Sequence, residues 1–194
     1  MLERNSALTG QRIHGRFGIE GEEAGVIFKE IREFSFLEIV LWEEKNASLR
    51  SKLAELLSIR ELPVSGTSMT LKEGRLLHLP GDCFVYLGTS GVADILEIAV
   101  TSEEGSVVSL SHAFCYLHLG GTKTANLLRR GIRLDLRDHA FPVGRVSETE
   151  IGGIDVLLHR PDAQHYDLLI PRSHAQELWR WLTKRAAQFG YAVL

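Results

Sequence analysis

The sequence predicts an α+β protein built from two ferredoxin-like βαββαβ-type units, with mainly antiparallel sheets backed by helices. Three observations predict it. Apolar residues alternate with period two in short runs bounded by Gly, Pro and Asp turn signals. Between these runs stand stretches with apolar residues three and four apart, the pattern of helices packed by one face. The segments follow as strand-helix-strand-strand-helix-strand, then strand-helix, three strands and a helix, so one supersecondary unit is met twice.

Residues 1–25 are polar and Gly-rich and carry the acidic run Glu20-Gly21-Glu22-Glu23. Few apolar groups there offset the entropy of ordering. A flexible N-terminal arm is expected, either frayed or ordered only on a partner. Residues 26–194 are expected to form one compact domain with two halves, about 26–110 and 111–194, because no low-complexity linker divides them.

Leu37, Ile39 and Leu41 share one face of a strand. Asn46 is placed to cap a helix carrying Leu49, Leu53, Leu56 and Leu57 at helical spacing. Two short strands over 75–79 and 83–87 flank the turn signal Pro80-Gly81-Asp82. Thr89 or Ser90 caps a second helix with the stripe Val92, Ile95, Leu96 and Ala99. In the β-rich stretch 106–119, Ala113, Cys115, Leu117 and Leu119 lie opposite His112, Phe114, Tyr116 and His118. Gly120-Gly121-Thr122 ends that strand and opens a helix closed by Gly131. Strands over 145–151 and 154–159 meet at Gly152-Gly153, and a third covers 166–170. Ser173 caps the last helix, where Ala175, Leu178, Leu182, Ala186 and Phe189 make a core-facing stripe.

Composition bounds the function. Of 194 residues, 44% are hydrophobic and 24% charged, the balance of a globular chain. The net charge of −3, without a dense basic face, argues against nucleic acid. No apolar run approaches the roughly 20 residues a spanning helix needs, so no membrane partner is expected. Two cysteines, Cys83 and Cys115, make no disulfide framework and fit a cytoplasmic protein.

Motifs that carry chemistry are nearly absent. His112 and His118 share a strand face but stand about 20 Å apart, too far for one ion. Asp135 and His139 can touch across a turn, yet two ligands do not define a metal site. Cys115 reads as a core thiol. No GxGxxG or GxxxxGK[ST] pattern occurs, and Leu87-Gly88-Thr89-Ser90-Gly91 reads as an ordinary strand-to-helix turn. Glu148 and Glu150 alternate outward. Trp179 and Trp181, two apart on the last helix, point in different directions: one covers the sheet while the other docks elsewhere, or both are buried. The expectation is no catalytic, cofactor-binding or metal-binding residue in this chain, which reads as a binding or structural unit.

The stretch Ala125-Asn126-Leu127-Leu128-Arg129-Arg130-Gly131 through Gly144 resembles the signature of sarcosine oxidase gamma subunits. Leu134-Asp135-Leu136 and Ala140-Phe141-Pro142 carry the resemblance, with Tyr166-Asp167-Leu168-Leu169-Ile170-Pro171-Arg172-Ser173 downstream. Ser109-Leu110-Ser111-His112 and Leu119-Gly120-Gly121 resemble the wider folate-binding aminomethyltransferase-like fold. Arg137-Asp138-His139 stands where that family usually has a His-Pro pair. The resemblance implies an accessory gamma subunit of a heterotetrameric flavoenzyme that oxidatively demethylates sarcosine to glycine. FAD, FMN, NAD and tetrahydrofolate are then held by the other subunits, the partners being alpha-, beta- and delta-type chains. The alternative is a free-standing folate-binding, one-carbon-transfer-like protein. Within the signature, Pro142 fixes a backbone angle, Gly144 frees the next turn and Asp135 can accept turn N–H groups. Leu134, Asp135, Leu136, His139, Phe141, Pro142 and Gly144 thus form a rigid loop, either a subunit interface or a plain connector.

Overall fold

A computed structural model describes residues 5–19, 23–43 and 46–194. The chain runs through β1 (Gly15–Phe17), β2 (Val26–Ile31), β3 (Ser35–Leu41), α1 (Asn46–Leu56), β4 (Ser68–Leu71), β5 (Gly74–Leu79) and β6 (Cys83–Gly88). It continues through α2 (Ser90–Ala99), β7 (Gly105–Ser109), β8 (Phe114–Gly120), α3 (Thr124–Leu128), β9 (Val146–Ile151) and β10 (Ile154–His159). It closes with β11 (Tyr166–Pro171), α4 (Ala175–Ala186) and β12 (Tyr191–Val193). Two compact units result, Glu33–Ser111 and Met1–Arg32 with His112–Leu194.

The middle unit holds an antiparallel sheet in the order β4-β5-β6-β3-β7. Without the short edge strand β4, this is the ferredoxin-like order the sequence predicts. Leu37, Ile39 and Leu41 pack against Leu49 and Leu53 of α1 and Leu96 of α2, all buried. Their alternation and the helical spacing of the leucines therefore point into one core. Truncating any fully buried leucine here would cost about 2–5 kcal/mol. Residues 44–45 and the Asn46 side chain, and with them the expected cap, lie outside the described residues.

The α2 stripe differs from expectation. Ala93, Leu96 and Val100 are buried, while Ile95 is 52% and Ile98 84% exposed. Of the expected stripe, Leu96 is buried and Val92 packs half-buried against the core. The helix is apolar on most sides, so hydropathy alone does not place Ala93 and Val100 inside and Ile95 outside.

The flanking unit holds a seven-stranded sheet in the order β1-β12-β2-β8-β11-β10-β9. All its pairs are antiparallel except β12 with β2. Strands β12, β8, β11 and β10 repeat the ferredoxin-like order, and β2 is inserted between β12 and β8. This corrects the expected division, which gave β2 to the first half: the chain leaves this sheet after β2 and enters the other at β3. Leu127 and Leu128 of α3 and Ala175, Leu178, Leu182 and Ala186 of α4 pack on Leu117, Leu119 and Leu168. Gly152 and Gly153 take φ of +61° and +90°, closing the β9–β10 hairpin as their sequence demands. Ser173 does not cap α4. A 3-10 turn over Arg172–His174 precedes the helix, and Ser173 Oγ instead meets His174 Nδ1 at 3.1 Å.

The N-terminal expectation also differs. Leu8 is fully buried in this core, and β1 pairs with β12. Ser6 Oγ donates to Glu30 at 2.6 Å and Arg12 pairs with Glu30 at 3.0 Å. One leucine and one ion-paired carboxylate thus hold residues that their composition assigns to a flexible arm. Residues 20–22, most of the acidic run, lie outside the described residues.

Candidate functional site

The signature loop leaves α3 and crosses to β9 over residues 129–145. Its aromatic is not displayed: Phe141 and Leu136 are buried in the core, and Leu134 packs half-buried against it. Asp135, His139, Pro142 and Val143 face outward. Asp135 accepts the backbone N–H of Arg137 at 3.0 Å, the turn role its sequence position suggests. It also takes the Arg137 guanidinium at 2.9 Å, and His139 Nε2 lies 3.8 Å away. The Arg137 side-chain bonds, then its backbone N–H, hold the Asp135 carboxyl below the ordinary carboxylate range. Gly144 has φ of +83°, and its N–H donates to the Arg160 carbonyl at 2.7 Å, joining the loop to the end of β10.

Arg160 was not visible as a site residue. Its Nη1 donates to the Phe141 carbonyl at 2.7 Å and pairs with Asp138 at 2.8 Å. A cavity of about 490 Å³ opens beside it, lined among others by Arg129, Leu136, Arg137, Asp138, Arg160 and Tyr166. Burial pushes the Tyr166 phenol up, while the charges of Arg160 and Arg129 pull it the other way.

A second cluster crosses the strands of the same unit. Asp167 on β11 stands opposite His118 on β8 and His159 on β10. His118 Nδ1 lies 2.7 Å and His159 Nδ1 3.1 Å from its two oxygens. Asp167 and His159 are fully buried. Burial alone raises the Asp167 carboxyl, but the two histidine hydrogen bonds outweigh it and bring it to about 2. An ionised carboxylate only accepts, so both histidines present Nδ1–H to it. His165 stacks on His118 with ring centroids 4.6 Å apart and is itself bonded to Asp162 at 2.8 Å. Sequence reading placed His118 on the correct strand face but had no means of finding its partner. The signal lay in the β8–β11–β10 register.

Among the described residues, no group of three or more His, Cys, Asp or Glu side chains is arranged to hold a metal ion. No helix among them is long and apolar enough to cross a membrane. Cys115 is buried and Cys83 half-buried. Trp179 is buried edge-on to Phe28, whereas Trp181 is half-buried with Arg185 stacked 4.1 Å from its ring.

The fold is like that of an aminomethyltransferase. Glycine cleavage system aminomethyltransferase T from Bartonella henselae matches 89% of this chain with 48% of its own, at a TM-score of 0.62 and 16% identity, a likeness of fold. The chain belongs to the sarcosine oxidase gamma subunit family, whose model matches residues 47–188. It is 32% identical over 131 residues to the sarcosine oxidase subunit gamma of Corynebacterium sp. (strain U-96). The gamma subunit of Arthrobacter sp. is 32% identical over 101 residues. These matches take in 66% and 52% of this chain, but only 60% and 50% of the relatives' own length. A chain in the heterotetrameric sarcosine oxidase from Corynebacterium sp. U-96, solved in complex with pyrrole 2-carboxylate, superimposes with a TM-score of 0.80 at 24% identity. That superposition covers 96% of each chain.

Proposed function

We propose that this chain is the accessory gamma subunit of a heterotetrameric sarcosine oxidase-type flavoenzyme. In this reading the complex oxidatively demethylates sarcosine to glycine in the cytoplasm. FAD, FMN, NAD and tetrahydrofolate are held by alpha-, beta- and delta-type subunits, and this chain supplies contact surface without an active site. Family membership supports it. The structural observation that carries it is α2: Ile95 and Ile98 project from a well-packed helix at 52% and 84% exposure. Adjacent exposed aliphatics on a rigid helix suit the desolvated centre of a protein interface. Pro142 and Val143 of the signature loop offer a second apolar step.

Co-expression with an alpha-type subunit tests this. A complex should survive gel filtration, with flavin absorbance only in fractions containing the larger subunits. Replacing Ile95 and Ile98 together with Asp should weaken that complex by about tenfold or more. The isolated variant should melt within about 2 °C of the parent, because both side chains are exposed. Flavin retained by the chain alone would refute the reading. Saturable tetrahydrofolate binding by the chain alone would favour the free-standing one-carbon-transfer alternative.

A further inference from the structure

We propose that the cavity beside the signature loop is a binding site for a small organic carboxylate. Arg160 is only 6% exposed, so its charge is desolvated and calls for compensation. Its guanidinium meets two neutral carbonyls, of Phe141 at 2.7 Å and Ala163 at 3.3 Å. Its one carboxylate partner among the described residues, Asp138, has a 90% exposed side chain and is therefore a weak, water-screened counter-ion. Among the described residues, Arg160 Nε is buried with no hydrogen-bond partner. The wall is thus left with an under-compensated cation.

The other cations settle the sign of the ligand. Arg137 is already neutralised by Asp135. Arg129 lines the cavity and makes no ion pair among the described residues. Its side chain has one long hydrogen bond, 3.4 Å to Asn126. Two positive charges, on Arg129 and Arg160, therefore face one exposed carboxylate. The Tyr166 ring sits 5.6 Å from the Arg160 guanidinium, and its hydroxyl makes no hydrogen bond among the described residues. That leaves a neutral donor beside the cations. A planar carboxylate matches a guanidinium fork with a neighbouring O–H donor. Leu136, Ala125 and the Tyr166 ring supply an apolar wall that inorganic phosphate would leave unused. The volume of about 490 Å³ suits an acid carrying a ring or short aliphatic body.

Titration of the full-length chain with benzoate, followed by calorimetry and by NMR shifts, tests the site. Saturable binding is expected with a Kd of about 1 mM or tighter. Arg129→Gln should raise that Kd about fivefold or more, and Tyr166→Phe about threefold. Arg129 is exposed, so its variant should melt like the parent; this keeps the test independent of Arg160, which also braces the loop. Acetate should bind more weakly than benzoate. The assignment falls if benzoate does not saturate, or if both variants bind it unchanged. It falls equally if benzylammonium or inorganic phosphate binds as well as benzoate. In the co-expressed complex benzoate should still bind. Its loss there would mean that a partner's acidic side chain fills the cavity, which overturns the small-molecule site. The subunit reading is tested separately, by complex formation, and does not depend on this result.

Discussion

Asp167 is a fully buried carboxylate that holds two histidines, His118 and His159. Its carboxyl sits at about 2 in the folded protein against an ordinary 3.8, so the shift is downward. A depressed acid contributes stability that is fully present above the unfolded value and is lost as pH falls through the folded one. The contribution is about 2 kcal/mol and disappears between roughly pH 4 and pH 2. Asp167→Asn leaves one buried histidine donor without an acceptor. It should lower stability at neutral pH by about 2–3 kcal/mol, a fall of roughly 5–10 °C in Tm. Urea melts at a series of acid pH values should show the parent losing its extra stability over that window and the variant lacking that loss. An unchanged acid limb in the variant would show that Asp167 does not carry it. At this scale legibility followed distance along the chain. The Asp135–His139 approach and the turn at Asp135 were readable because both partners lie within four residues. The Asp167 cluster was not, because its three members meet only through strand register. Arg160 was missed for a related reason: nothing local marks an arginine after a strand as buried.

At the scale of elements, Trp181 shows how a helix is seated. An added Cβ at Gly131 would fall 2.3 Å from the indole, and one at Gly152 2.6 Å from its Nε1. The two glycines are linked by a Gly152 N–H to Gly131 carbonyl hydrogen bond of 3.2 Å. They form the floor on which α4 lays this ring. Gly152→Ala combines a clash with a φ of +61°, and should cost about 2–3 kcal/mol. Tryptophan fluorescence should report a changed Trp181 environment in the same variant. Parent-like stability and emission would remove the glycine floor from the account. The sequence marked Gly152 as a hairpin turn, which it is, and Gly131 as a helix end, whereas α3 ends at Leu128 with Arg129 as its C-cap. It marked neither as a docking surface for a distant ring. The long strands and amphipathic helices were readable because their periods extend over six or more residues. Strands β1, β4 and β12 span only three or four residues each and offer no period to read. In α2 Leu96 was legible as core but the exposure of Ile95 was not, because apolar residues occur on most sides of that helix.

For the whole molecule, the decisive fact is that β12 lies between β1 and β2. The expected two-fold repeat of a βαββαβ order is present, and the element order alone carried it. The insertion of β2 into the later unit was not legible, since strand order in a sheet is a long-range choice that local pattern leaves open. Deleting residues 191–193 removes the strand that β1 pairs with and one of the two neighbours of β2, which keeps β8, and takes nothing from the sequence of Glu33–Ser111. Calorimetry should then show the flanking unit melting earlier by roughly 10 °C or more, with a separate transition retained for the middle one. A single unshifted transition would contradict the independence of the two cores. The same arrangement governs the order of events during synthesis. The middle unit is one uninterrupted stretch, finished when its last strand leaves the ribosome. Its neighbour must hold β2 with an open edge until the final strand is translated, some 160 residues later, and that waiting edge is where a nascent chain is most exposed to pairing with the wrong partner.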